Sequence, residues 1–185
     1  MSALTLLGMD EMMARYASYN DLSEIIRRDF DEAPGTLLEL FGRIVFNILC
    51  GNTDDHARNH AAFWDGKELS LTPAYDICPQ NRTGNEATQA MLISGEDNRS
   101  RLATCLAAAP AFLLNEAEAL ELIEHQVTTV RDGWPKACEL AELTETDQRL
   151  LWGRQFLNEF AFEELDGAAS PLATLAIEAR NGNMR

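Results

Sequence analysis

The chain has 185 residues, 46% of them apolar, which suits one domain that buries a core without disulfides or metals. Its formal net charge of −15 argues against direct binding to a nucleic-acid backbone, which requires clustered positive charge. The sequence shows no apolar span of membrane length and no basic-then-apolar leader at its N-terminus. It therefore predicts a soluble, cytoplasmic protein with no membrane segment. Its four cysteines form no C-x-x-C pair, which favours reduced thiols over a zinc or disulfide framework.

Two helices are predicted before residue 51. Residues 19–30, YNDLSEIIRRDF, have helical spacing, with Asn20 or Asp21 as the expected N-cap. Residues 36–50, TLLELFGRIVFNILC, are apolar nearly all round, which is typical of a helix in the middle of a domain. A Pro-Gly pair marks the start of this second helix, and Gly51 marks its end.

The next region predicts a polar loop, a hairpin and a turn. The loop is GNTDDHARNH, residues 51–60. In HAAFWDGKELSLTP, the pair Asp65-Gly66 stands between two short apolar runs, which indicates a β-hairpin. The chain then turns at Pro73 into AYDICPQ, and residues 81–100 are expected to form a long loop.

The remaining residues are expected to be helical. Asn115 and Glu118 have the spacing of a capping box before NEAEALELIEHQVTTV continues as a helix, and Thr144 and Asp147 repeat the device before TETDQRLLWGRQFLNEF. The expected buried positions are Leu120, Ile123, Val127 and Val130 in the first helix and Trp152, Phe156 and Phe160 in the second.

The polar loop and the turn after the hairpin carry a pattern that suits phosphoryl transfer. Asp54 and Asn59 lie five positions apart on the loop, and Asp76 follows the hairpin in AYDI. Phosphoryl transfer needs a carboxylate to accept the hydrogen bond of the attacking hydroxyl, and hard oxygen ligands for magnesium. The hairpin would return the second acid to the first. The spacing favours Asp54 over Asp55 as the base.

These residues resemble the HipA family of toxin kinases, in its C-terminal lobe, over residues 2–162. The best-matching segments are SALTLLGM, ARYASYNDLSEIIRR, GNTDDHARNH, LTPAYDICPQ and GRQFLNEFAFE. The resemblance implies a mainly α fold, the helical C-terminal lobe of a protein-kinase-like fold with one small β-hairpin after the catalytic loop. Residues 1–165 would form this lobe, and residues 166–185 a terminal tail or short helix.

The resemblance also implies roles for individual residues. Asp54 would be the catalytic base, and Asn59 and Asp76 would hold Mg²⁺. The residues expected to contact ATP are His56, Ala57, Arg58, Asn59, Tyr75 and Asp76. Arg58 replaces a lysine often found there, which keeps the positive charge but as a planar fork.

The resemblance further implies a serine/threonine kinase that acts as the toxin of a toxin–antitoxin pair, with a helix-turn-helix antitoxin and a protein substrate as partners. No lysine and no glycine-rich phosphate loop precede Asp54. We therefore expect ATP and Mg²⁺ binding to require an N-terminal lobe, from a longer kinase or from a partner chain, and the chain to be inactive alone. The alternative is a non-catalytic binding module, derived from a kinase lobe, that docks an antitoxin or an N-lobe partner.

Three other interpretations of the polar loop stay open at this level. The acids and amides could serve only as turn and cap residues. His56 and His60, four positions apart, could be a zinc pair. The segment GNTD also faintly resembles a metallophosphatase motif, although the other segments of that motif are absent from the sequence.

Overall fold

The computed structural model describes residues 1–81 and 84–182, and it confirms the mainly helical fold class with one hairpin. The α-helices of the described residues are α1 (Ala3–Leu6), α2 (Tyr19–Asp29), α3 (Ala33–Cys50), α4 (Leu102–Ala108), α5 (Glu116–Leu140), α6 (Glu145–Leu151) and α7 (Ser170–Gly182). The hairpin consists of β1 (Ala62–Trp64) and β2 (Leu69–Leu71). Short 3₁₀ turns cover Ala14–Tyr16, Ala109–Phe112, Glu159–Phe162 and Gly167–Ala169.

Helix α3 is the centre of the fold, as its apolar sequence predicts. It packs against α2, α4 and α5, and its buried side chains point in every direction round the helix. By length and mean hydropathy (1.3) this helix could cross a membrane, contrary to the expectation that no stretch has that character. More than half of it is buried inside the protein, as the core helix of a soluble domain would be.

Helix α2 starts at a different cap from the one expected. The Ser18 hydroxyl accepts hydrogen bonds from the backbone N–H groups of Asn20 and Asp21, so neither of those two residues is the N-cap. Serine in an extended backbone conformation satisfies the first free N–H groups of a helix, and asparagine or aspartate would do so equally well two or three positions later. The sequence pattern therefore located the helix but not its first residue.

Helix α5 begins with the predicted capping box of Asn115 and Glu118 and continues to Leu140, well beyond the expected segment. It passes through Pro135. Among the predicted buried positions, Ile123 and Val127 are buried, whereas Leu120 and Val130 are only partly buried. Helix α7 packs against α5, so the described part of the expected tail is a docked helix. Residues 183–185 of that tail, like residues 82–83 of the predicted long loop, lie outside the described residues.

Helix α6 begins with the predicted capping box but ends at Leu151, so the expected stack of aromatic side chains along one helix is wrong. Trp152 has an extended backbone and Gly153 is left-handed with φ 77°. Two of the three pack instead on Trp134 of α5, whose ring centroid lies 4.8 Å from that of Trp152 and 4.9 Å from that of Phe156. Phe160 lies apart from them, with the Arg101 guanidinium 5.7 Å from its ring centroid.

The polar loop connects the end of α3 to the hairpin. The two strands pair in antiparallel register with Ala62 opposite Leu71. The N-terminal residues extend this ladder, because the Met1 ammonium donates to the carbonyl of Ala62 at 2.7 Å. The Arg43 side chain of α3 donates to the carbonyl of Thr72 at 2.7 Å, which ties the exit of the hairpin back to the central helix.

Gly51, the first residue of the polar loop, should be sensitive to substitution by a residue with a Cβ. Its φ is 74°, and an added Cβ would lie 2.8 Å from the carbonyl oxygen of Gln155. We expect Gly51→Ala to lower the free energy of unfolding by about 2 kcal/mol or more, since it adds both backbone strain and a clash. Urea denaturation measures this.

Gly35→Ala is the matched control, because Gly35 lies in the first turns of α3 and an added Cβ would contact nothing. This substitution should be neutral or stabilise by up to about 1 kcal/mol. An equal loss of unfolding free energy in the two variants would contradict the geometry of the α3 C-terminus.

Candidate active site

The two neighbouring aspartates of the polar loop face opposite environments. Asp54 is exposed, and its carboxylate forms no hydrogen bond or ion pair within residues 1–81 and 84–182. Asp55 is only 2% exposed. The available carboxylate is therefore the one that the sequence spacing favours as the base, and its neighbour is part of the core.

Asp55 is held by three side chains from different elements. One carboxylate oxygen accepts from the Tyr19 hydroxyl of α2 and from Asn47 Nδ2 of α3 at 2.6 Å, and the other lies 3.0 Å from His60 Nε2. Burial alone would raise the pKa of Asp55, but His60 and then Tyr19 and Asn47 together outweigh it and hold the pKa below its ordinary value. Asp55 therefore remains a carboxylate and fixes the loop to two helices.

The segment that contains Asp76 lies against the polar loop at three points. The Tyr75 hydroxyl donates to the carbonyl of Arg58 at 2.5 Å, and the Gln80 N–H donates to the carbonyl of Gly51 at 3.0 Å. Between them, Asn52 Nδ2 lies 3.5 Å from the carbonyl oxygen of Asp76. The backbone after the hairpin is thus brought back to the loop, as the sequence predicts.

Asn59 is nearly buried, and its side-chain nitrogen donates to the carbonyl of Asp54 at 3.2 Å. Its side-chain oxygen accepts no hydrogen bond from the described residues. Asp76 is exposed, has a left-handed backbone with φ 58°, and makes no carboxylate contact with the described residues.

Together Asp54, Asn59 and Asp76 offer two carboxylates and one amide oxygen that have no partners among residues 1–81 and 84–182. Hard oxygen ligands of this kind are what Mg²⁺ takes beside phosphate oxygens and water. The donor set therefore fits a magnesium ion, with Asn59 and Asp76 as the residues that would hold it.

The remaining predicted nucleotide contacts differ in accessibility. Arg58 is exposed, and its guanidinium is paired with the carboxylate of Glu11. Ala57 is buried, and its carbonyl accepts from the Leu4 N–H at 3.2 Å. Nδ1 of the partly buried His56 is a buried atom with no hydrogen-bond partner. Partial burial, followed by the negative charge of Asp76, raises the pKa of Tyr75 above its ordinary value.

The zinc interpretation of the two loop histidines is not supported. His60 is committed to Asp55 and also lies 3.2 Å from the Tyr19 hydroxyl, so it does not point with His56 toward a shared ion. Within the described residues, no three His, Cys, Asp or Glu side chains are grouped as a metal site.

Sequence reasoning missed the buried polar residues that support the loop. These are Tyr19, Asn47, Asn52 and the side chain of Arg43, all of which are buried. A signal was present, because Arg43 and Asn47 are polar residues in a helix that is otherwise apolar nearly all round. A buried polar group in such a helix must find a partner, so it points to a network.

The two aspartates should behave differently when they are replaced. Asp55→Ala leaves three buried donors without their acceptor, so we expect it to cost about 3 kcal/mol or more of unfolding free energy. Asp54→Ala removes an exposed, unpaired carboxylate and should change stability by about 0.5 kcal/mol or less. Urea denaturation of both variants checks this, and the reverse order would contradict the orientation of the loop.

Comparison with known proteins gives three findings. A family model described as the HipA-like C-terminal domain matches residues 1–134. A protein of Sinorhizobium fredii (strain NBRC 101917 / NGR234) named "Putative kinase Y4mE" is 29% identical over 68 residues, which cover 34% of this chain and 16% of that protein. The solved complex of HipA, HipB and operator DNA from Shewanella oneidensis MR-1 contains a chain that matches 99% of this one with a TM-score of 0.63 and 15% identity.

The chain covers 41% of that solved chain. It therefore spans less than half the length of either protein. The likeness to the solved structure shows the fold, and the family match extends over well over half of the chain. The chain belongs to the HipA-like C-terminal domain family.

Proposed function

We propose that the chain is the catalytic lobe of an ATP-dependent serine/threonine protein kinase, the toxin of a toxin–antitoxin pair. One observation carries the proposal: the segment Tyr75–Gln80 is bonded to the polar loop at both ends and in the middle. The backbone of Asp76 therefore lies beside the loop that bears Asp54 and Asn59. All three offer oxygens that no described residue uses.

Asp54 is proposed as the base that receives the hydrogen bond of the substrate hydroxyl. Its exposure lets a protein side chain reach it, and no described residue forms an ion pair with its carboxylate. A general base must come within hydrogen-bond distance of the hydroxyl that it serves, which an aspartate buried like Asp55 could not do. The core attachment of Asp55 would hold the neighbouring base in place.

Asn59 and Asp76 are proposed as ligands of Mg²⁺, and His56, Ala57, Arg58 and Tyr75 as nucleotide contacts. When bound, the ion would neutralise the negative charge that the phosphates bring into a strongly acidic chain. Arg58 adds the nearby positive charge once its guanidinium exchanges Glu11 for a phosphate oxygen.

A complete ATP site needs groups that these residues do not supply. The sequence contains only two lysines, Lys67 and Lys136, and both follow the polar loop. Each is paired with a nearby glutamate. Kinases place a lysine and a glycine-rich loop over the phosphates. We therefore propose that activity requires a nucleotide-binding lobe, joined to this one in a longer chain or supplied by a second protein.

A helix-turn-helix antitoxin is the proposed regulatory partner, and a cytoplasmic protein is the proposed substrate. The support for the antitoxin is that the similar HipA of Shewanella oneidensis is found in a complex with HipB and operator DNA. The acidic chain itself is not expected to contact DNA.

A non-catalytic module is the second candidate. The pairing of Arg58 with Glu11 is the observation that favours it, because the positive charge of this arginine is already matched by a carboxylate. Such a module would dock an antitoxin or an N-lobe partner without using Asp54.

Calorimetry with Mg-ATP tests what these residues do alone. We expect no binding in the micromolar range, because most of the preorganised donors for the phosphates are absent. Micromolar binding by the 185-residue chain would contradict the need for a further lobe.

Reconstitution tests the catalytic assignment. With a complementary nucleotide-binding lobe supplied, Asp54→Asn should lower the rate of phosphate transfer about a hundredfold or more, the usual contribution of a positioned base. Asp166→Asn, which changes an exposed aspartate outside the site, is the matched control and should retain activity.

Unchanged transfer in Asp54→Asn would overturn the base assignment. If no mixture transfers phosphate while partner binding persists in Asp54→Asn, the module is the correct function.

A further inference from the structure

A chain of buried side chains connects the two acidic parts of the site. It consists of Asp55, Asn47 and Asn52, and it ends at the carbonyl of Asp76. We propose that Asn47 and Asn52 are positioning residues that fix the metal ligand Asp76 relative to Asp54 and Asn59. The inference rests on the proposed function and names two residues that the family resemblance does not assign.

Each link of the chain uses a different atom of an amide. Asn47 Nδ2 donates to Asp55 at 2.6 Å, while Asn47 Oδ1 accepts from Asn52 Nδ2 at 3.0 Å. The same Asn52 nitrogen lies 3.5 Å from the carbonyl oxygen of Asp76, which makes this the weakest link. An amide carries both a donor and an acceptor, so Asn47 can join a carboxylate on one side to a donor on the other.

Burial makes this row of hydrogen-bonded side chains rigid. Asn47 and Asn52 are 2% and 1% exposed, so water does not compete for their hydrogen bonds. Neither residue has an unsatisfied buried side-chain atom. A hydrogen-bonded polar network in a protein interior holds its members in place, since a shift would leave a buried group without its partner.

The two ends of the chain are the places where positioning matters. At one end, Asp55 is the immediate neighbour of the exposed Asp54. At the other, Asp76 has a left-handed backbone with φ 58°, which is uncommon for a residue other than glycine. Such a conformation persists where surrounding groups hold it, and the Asn52 amide contacts the carbonyl of this same residue.

A structural role alone would stabilise the fold but leave metal affinity unchanged. A positioning role predicts weaker metal binding by residues that never touch the ion. Groups that orient metal ligands typically change metal affinity about tenfold to a hundredfold when they are removed.

The experiment titrates the 185-residue chain with Mn²⁺, as a paramagnetic substitute for Mg²⁺, and measures free Mn²⁺ by electron paramagnetic resonance. Asn52→Leu and Asn47→Leu keep the side-chain size but remove the polar atoms, and each should weaken Mn²⁺ binding about tenfold. The double variant should bind Mn²⁺ no more weakly than the weaker-binding single variant, because both substitutions break the same row of hydrogen bonds.

Ser100→Ala is the control for buried polar loss elsewhere. Ser100 is buried and accepts a hydrogen bond from Gln89 Nε2 at 3.0 Å, outside the chain of amides. Its loss should lower the urea midpoint without changing Mn²⁺ affinity. If Asn52→Leu does not fold, Asn52→Ser replaces it, since serine is polar but too short to reach both partners.

The outcomes separate this inference from the proposed function. If Asp76→Ala leaves Mn²⁺ binding unchanged, the proposed magnesium site fails and the inference fails with it. If Asp76→Ala weakens binding while the asparagine variants bind Mn²⁺ like the wild type, only the positioning role is overturned. A tenfold loss of Mn²⁺ affinity in Ser100→Ala would also overturn the positioning role, because the loss of affinity would then follow from lower stability.

Discussion

The structure depends on one buried carboxylate. Asp55 lies where α2, α3 and the polar loop meet, and a charge in that position is tolerated only because donors from all three converge on it. The desolvation cost that makes an unpaired buried charge unstable also makes this arrangement selective. The loop cannot rotate without leaving Asp55 and its donors unpaired. The orientation of the residues next to Asp55 therefore follows from its contacts.

In the proposed kinase site, this constraint would divide structural and chemical roles between adjacent residues. Asp55 supplies the attachment, and Asp54, the residue before it, is left on the surface with no side-chain partner in the part of the chain that the structure describes. A carboxylate that stabilised the fold through several hydrogen bonds would have no free oxygen for a hydroxyl or a metal. The loop therefore carries two aspartates in sequence, and only their environments distinguish them.

The sequence predicts the local features well and the long-range ones poorly. The capping boxes at Asn115 and Thr144, the hairpin at Asp65-Gly66 and the end of α3 at Gly51 depend on neighbouring residues, and all are confirmed. The early end of α6 is missed because the aromatic residues that follow pack on Trp134 of another helix, which outweighs helical spacing. The polar network is missed because Tyr19 and Asp55 are far apart in the chain, and no local pattern reports their contact.

The ion pair between Arg58 and Glu11 is weak, unlike the buried contacts of Asp55. Arg58 and Glu11 are both exposed, and such a pair contributes about 1 kcal/mol or less because water screens it. In the proposed ATP complex, a phosphate, with more charge than a carboxylate, would therefore displace Glu11 from Arg58 at little cost. The proposed requirement for a further lobe rests instead on the transferred phosphate, which would need fixed donors that the polar loop does not supply. Oxygen ligands on one face can hold a metal, but they cannot by themselves neutralise the phosphates that the metal brings with it.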